Sequence, residues 1–180
     1  MTEPDILTRR LAELPVLLAD GATGTNLFAM GLQTGDSPEL WNVDHPDRIV
    51  TLYRNFIYAG SDLILTNSFG GTRFRLGLHG ADNRVHELNS RAASIAREQV
   101  AAADRPVIVA GSMGPTGEIL EPNGTVSVSE AAAAFAENGS LPEPTPGLEF
   151  YDTGVELITD RPADGIPATS SDDGLKKCWG

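Results

Sequence analysis

Three short apolar runs, each ending in a polar, glycine-bearing loop, constrain this chain more than any other feature. The first is Val16-Leu17-Leu18-Ala19, which ends at Asp20-Gly21. The second is Asp62-Leu63-Ile64-Leu65-Thr66, ending at Asn67-Ser68, and the third is Pro106-Val107-Ile108-Val109-Ala110, ending at Gly111-Ser112. A strand with one wet face alternates apolar and polar residues. Continuous runs predict buried strands of a parallel sheet covered on both faces. Between the runs the apolar period lengthens to that of a helix. Ile49, Leu52, Tyr53, Phe56 and Ile57 share one face of a helix that opens at His45-Pro46-Asp47 and stops at Gly60. Val85, Leu88, Ala92, Ile95 and Ala96 form the apolar face of a longer helix, read over 82–103. Ser129 stands as N-cap of a third helix over 130–137. Strand and helix alternating three times predict α/β architecture with right-handed crossovers.

The texture changes after Asn138. Residues 139–180 hold five of the twelve prolines and carry eight acids against three bases. Only Leu148 to Tyr151 and Val155 to Ile158 read as strands there, and 169–174 read as a loop. The expected organisation is a folded region over 1–138 followed by an irregular, acidic, proline-rich tail over 139–180.

The formal charge of the 180-residue chain is −12. Nucleic acid and anionic membrane surfaces require a basic face, so neither is expected as a partner. No apolar run approaches the roughly 20 residues of a membrane span. The N-terminus places acids and arginines before the short Leu14–Ala19 run, which is not the order of a signal peptide. A cytoplasmic location is therefore expected, and the sequons at Asn123 and Asn138 read as chance. The single cysteine, Cys178, permits no intrachain disulfide, and one chain cannot build a zinc site on two or three thiolates.

Ligands of βα sheets bind at the carboxyl ends of the strands. The polar clusters of this chain stand at those ends: residues 20–26, 66–72 and 111–117. Their backbone N–H groups and hydroxyls suit a small polar ligand, although βα turns call for glycine in any case. Asp20 is the sharpest candidate. A carboxylate at the end of a buried strand is costly unless partnered, so it either holds a substrate ammonium or caps the helix starting near Thr23. His45, His79 and His86 lack metal-ligand spacing and read as surface residues. Trp41 and Phe69 read as pocket wall or core. Gly21, Gly24 and Gly31 do not fit a dinucleotide fingerprint, and no Ser-His-Asp set or nucleophile elbow is present.

Taken together, several of these segments resemble the homocysteine S-methyltransferase family, which includes betaine–homocysteine methyltransferase and the homocysteine domain of methionine synthase. The resemblance is carried by Leu18 to Thr25, Pro38-Glu39-Leu40-Trp41-Asn42, His45-Pro46, Tyr58 to Asp62, Leu65 to Phe69 and Gly111 to Gly117, in the family's order. It covers about residues 14–137 and implies the first three βα units of a (β/α)8, TIM-type barrel. It further implies that homocysteine binds at the C-terminal face, with Asp20 and Gly21 contacting its amino acid part and Thr66, Asn67 and Ser68 forming the second-strand rim. The implied activity is methyl transfer from betaine, S-methylmethionine or a similar donor to homocysteine, giving methionine. The implied cofactor is zinc held by three cysteines, which lowers the thiol pKa of homocysteine. The chain departs from the family in two respects. A complete barrel takes about 250 residues, and the zinc cysteines and the acidic residue of the fourth strand are absent. A non-catalytic amino-acid-binding or regulatory fragment of the same family is the alternative expectation. Self-association through exposed barrel edges is expected of three parallel strands left open.

Overall fold

The computed structural model describes residues 6–138, 157–158 and 168–169. The chain divides into two units, Met1–Glu143 and Pro144–Gly180. In the first, helix α1 (Ile6–Glu13) precedes the first apolar run, and α2 (Thr23–Ala29) follows it. A 3-10 turn over Pro38–Leu40 runs into α3 (Trp41–Asp44), and α4 (Pro46–Ala59) leads to β1 (Leu63–Leu65). Helix α5 (Arg73–Gly77) and the long α6 (Val85–Ala101) lead to β2 (Ile108–Ala110), and α7 (Val128–Asn138) closes the unit.

The sequence logic of α4 holds closely. Pro46 occupies the first turn, where its missing N–H costs nothing. Gly60 ends the helix in the left-handed region at φ 105°, which a side chain would disfavour. Ile49, Leu52 and Tyr53 are buried. They meet Ile95 and Ala96 of α6 and Ile64 of β1 in one core. A smaller cluster joins Leu76, Ala81, Val85 and Leu88.

The sheet departs from expectation. β1 and β2 pair in parallel, with Leu63 opposite Ile108 and Leu65 opposite Ala110. The first apolar run joins them through one bridge, Ala19 to Leu63, and forms no ladder, so two of the three expected strands are regular. The physical reason lies at Asp62. Its carboxylate accepts the Leu18 N–H at 3.0 Å, diverting a ladder donor. The N–H groups of Asp62 and Leu63 then converge on the single Leu18 carbonyl at 2.7 and 3.1 Å. Nor is this run covered on both faces, because Val16 is 73% and Leu18 56% exposed.

Helix α7 begins earlier than its sequence suggests. Ser127, and not Ser129, caps it: the Glu130 N–H donates to Ser127 Oγ at 3.2 Å, and the Ser127 N–H donates to Glu130 Oε2 at 2.8 Å. This reciprocal Ser-x-x-Glu arrangement is a capping box. Helices α1 and α5 were not foreseen from periodicity, being too short to show a repeat.

In the second unit, β3 (Leu157–Ile158) and β4 (Ala168–Thr169) pair in parallel. β3 lies within the Val155 to Ile158 segment read as a strand, whereas β4 was not expected and reaches into the 169–174 segment read as a loop. Apolar and β-branched residues favour such pairing even within polar surroundings. The Leu148–Tyr151 strand expectation lies outside the described residues.

Candidate functional site

The three loops at the carboxyl ends of the apolar runs come together, and their own side chains stitch them. Thr66 Oγ1 and Ser68 Oγ lie 2.6 Å apart. Thr66 Oγ1 accepts the Ser112 N–H at 3.0 Å, and Ser68 Oγ donates to the Ser112 carbonyl at 2.8 Å. Asn67 donates from Nδ2 to the Pro38 carbonyl and to Asn42 Oδ1. Its backbone N–H donates to the Tyr53 hydroxyl at 2.7 Å. Asn42 in turn donates to the carbonyls of Asn67 and Leu88. Thr66, Asn67 and Ser68 are all buried. Their polar atoms are spent on holding the second loop to the third loop and to the Pro38–Asn42 segment, as buried polar groups require.

Asp20 is placed differently. It does not cap α2, whose N-cap is Ala22 with no side-chain hydrogen bond. Its Oδ2 instead accepts the Leu65 N–H at 2.9 Å, and its own N–H donates to the Leu63 carbonyl. Its Oδ1 is buried and has no hydrogen-bond partner. Loss of solvent raises the Asp20 pKa above the ordinary carboxylate value, opposed by the Leu65 N–H bond. Burial also raises the Tyr53 hydroxyl strongly, and the nearby Asp20 charge adds to this. Gly21 is exposed, over the edge of the Phe56 ring.

A cleft of about 400 Å³ opens on this rim. Of the expected site residues, Thr66 and Asn67 line it, whereas Asp20, Gly21 and Ser68 do not. Asp20 reaches the wall through Leu65, which lines the cleft and whose N–H it holds. Phe69 lines the cleft and is 60% exposed, while Trp41 is buried beneath Arg48, whose guanidinium carbon lies 4.6 Å from the ring centroid. All three histidines are exposed. His79 nevertheless lines the cleft, contrary to its reading as plain surface.

Residues that the sequence did not single out as ligands complete the cleft. Glu39 is buried, accepting from Ser37 Oγ and from the Gly70 N–H, both at 2.7 Å. It fixes the Phe69–Gly70 corner of the second loop. Arg75 projects from α5. The available signal was the Arg73-Phe74-Arg75 segment, two bases directly after a glycine-rich loop in a strongly acidic chain.

The three-thiolate zinc site implied by the resemblance does not fit these residues. The one cysteine, Cys178, lies outside the described residues. Among the described residues no three His, Cys, Asp or Glu side chains gather to hold a metal ion.

A parallel two-stranded sheet with helices between its strands, and a cleft at the strands' carboxyl ends, places the described fold in the α/β class. Within that class the chain belongs to the homocysteine S-methyltransferase family, which it matches over residues 17–159. It is 35% identical to methionine synthase of Mycobacterium tuberculosis over 120 residues, covering 62% of this chain and 10% of that protein. It is 30% identical to homocysteine S-methyltransferase of Escherichia coli over 131 residues, covering 67% of this chain and 42% of that protein. Its backbone resembles the metallated form of the E. coli homocysteine methyltransferase MmuM with a TM-score of 0.56 and 28% identity, over 62% of this chain and 42% of that one. The chain thus spans less than half the length of these relatives. No described helix is long and apolar enough to cross a membrane.

Proposed function

We propose that this domain binds homocysteine at the cleft and serves methyl transfer to it from a donor such as betaine or S-methylmethionine, giving methionine. The observation that carries this reading is Asp20 Oδ1, a buried carboxylate oxygen without a partner beside the cleft wall. A buried polar atom in that condition costs stability until something donates to it. A substrate ammonium supplies both the donor and the compensating charge. Family membership supplies the amino acid, and the names of the relatives supply the reaction.

In the transfer, the homocysteine sulfur bonds to the methyl carbon as the donor's bond to that carbon breaks. The donor keeps the electron pair, and the thiol gives up its proton. The part assigned to this chain is binding and orientation. Asp20 neutralises the ammonium, and the Thr66–Asn67–Ser68 stitching fixes the loops before substrate arrives, which is what a positioned reaction requires. Activation of the thiol by three thiolates is not assigned to these residues, because the chain does not contain them.

Thermal unfolding with and without millimolar homocysteine tests the reading. Binding to the folded state alone raises the midpoint in proportion to RT ln(1 + [L]/Kd). Asp20→Asn, which keeps an oxygen to accept the Leu65 N–H, should abolish the shift while the unliganded midpoint does not fall. A midpoint that homocysteine never moves would overturn the reading.

A further inference from the structure

The single bridge between Ala19 and Leu63 fixes which main-chain groups would pair on either side of it in a parallel ladder. The Leu63 N–H donates to the Leu18 carbonyl and the Asp20 N–H to the Leu63 carbonyl, as that register requires. One rung further on, the register calls for the Leu65 N–H to donate to the Asp20 main-chain carbonyl. It donates instead to Asp20 Oδ2 at 2.9 Å. One rung back, the register calls for the Leu18 N–H to donate to the Ser61 carbonyl. It donates instead to Asp62 Oδ2 at 3.0 Å. A carboxylate thus replaces a main-chain acceptor at each end of the bridge, which is the competition that aspartate side chains offer to regular pairing. We propose that the replacement at Asp20 is a switch: a donor that draws the Asp20 carboxylate away hands the Leu65 N–H to the Asp20 carbonyl and closes the first run onto β1.

The two ends differ in how firmly the carboxylate is held. Arg105 and Arg10 stand 3.5 and 3.7 Å from Asp62 Oδ1. Arg105 also donates to the Ser61 carbonyl at 2.7 Å, engaging the acceptor that the ladder would use. That end is locked. Asp20, by contrast, has no cation paired with it among the described residues, and its Oδ1 has no partner. No N–H donates to the Asp20 main-chain carbonyl among the described residues, so the acceptor that the ladder would use stands open. The exchange gives the Leu65 amide one oxygen for another, as a strand amide requires. Leu65 ends β1, lines the cleft and leads into Thr66 and Asn67. The exchange therefore couples the state of the Asp20 carboxylate to the pairing of the strand that carries the second loop. With a substrate ammonium as the donor, the switch rests on the homocysteine reading above; the exchange itself does not.

Scalar couplings across hydrogen bonds, measured by NMR on the isotope-labelled full chain, identify the acceptor of the Leu65 N–H directly. The unaltered chain should couple Leu65 to the Asp20 carboxylate carbon. Asp20→Ala should move the coupling to the carbonyl carbon of residue 20, with the Leu65 amide still slow to exchange. Asp20→Asn, which keeps a side-chain oxygen, should leave the coupling on the side chain. The Leu63 coupling to the Leu18 carbonyl reports in each variant whether the bridge is intact. A Leu65 amide that loses its coupling and exchanges rapidly in Asp20→Ala, over an intact bridge, overturns the proposal. Loss of the bridge itself in Asp20→Ala overturns it too, because the main chain then cannot hold the run without the carboxylate. Millimolar homocysteine should move the Leu65 coupling to the carbonyl in the unaltered chain. Homocysteine that raises the melting midpoint while Leu65 stays on the carboxylate overturns the switch and leaves the homocysteine reading standing. If homocysteine moves neither midpoint nor coupling, that reading fails, and the Asp20→Ala spectrum alone decides the exchange.

Discussion

Asp20 sits where solvent is scarce and its charged form is disfavoured, and that has a consequence for pH. Burial raises its pKa above the ordinary 3.8. The folded chain therefore retains a proton that the unfolded chain has already lost. This group's contribution to stability is full below the ordinary value and fades as pH rises through the raised one. Urea denaturation across a pH series should show this decline in the unliganded chain, and Asp20→Asn should remove it. If the two pH profiles run parallel, Asp20 is not the group responsible. Tyr53 tests the stitching. Its buried hydroxyl accepts the Asn67 N–H. Tyr53→Phe leaves that amide without an acceptor, and an unfolding free energy lower by about 1–3 kcal/mol is expected. An unchanged denaturation midpoint would mean that water replaces the hydroxyl.

At the scale of elements, helix ends were decided by partners at a distance of three residues. Ser129, directly before a helix read over 130–137, was the expected cap of α7, yet the reciprocal bonds join Ser127 to Glu130. The Ser-x-x-Glu pattern was legible in the sequence and signals this start better than the nearest serine does. Ser127→Ala should destabilise the helix by about 1 kcal/mol. Amide exchange confined to the first turn of α7 would accelerate, whereas uniform acceleration across the domain would place the damage elsewhere. Strand ends were decided less locally. The run at 16–19 has the composition of a strand, but Asp62 captures its Leu18 N–H and leaves one bridge. Arg105 and Arg10 approach Asp62 Oδ1 at 3.5 and 3.7 Å, holding the carboxylate that makes the diversion.

For the whole molecule, the uncovered first run is the prominent feature. Val16 and Leu18 are largely exposed, and Leu65 and Ile119 are exposed as well. Apolar strand edges of this kind favour association. Sedimentation velocity over increasing concentration should show oligomers of the unaltered chain, and Leu18→Glu should shift the population toward monomer. A chain that stays monomeric at every concentration would show that this face needs no cover.

The sequence by itself determined the parallel βα character, the bounds of α4, the apolar face of α6 and the family, because each rests on a local pattern: apolar runs, a helical stripe, a glycine stop, and short segments in a fixed order. The α6 bounds it did not determine, since 82–84 form a 3-10 turn and the helix runs Val85–Ala101 rather than over 82–103. It also brought Asp20, Thr66, Asn67 and Ser68 to notice, since polar residues at strand ends are conspicuous. Only the tertiary structure decided what each of them does. Thr66, Asn67 and Ser68 turned out to be spent on neighbouring loops, and Asp20 on a strand amide, because buried polar atoms take whatever partners packing brings within reach. Glu39 and Arg75 entered the cleft for the same reason: their neighbours there are distant in the chain, and no local pattern records who will be adjacent after folding.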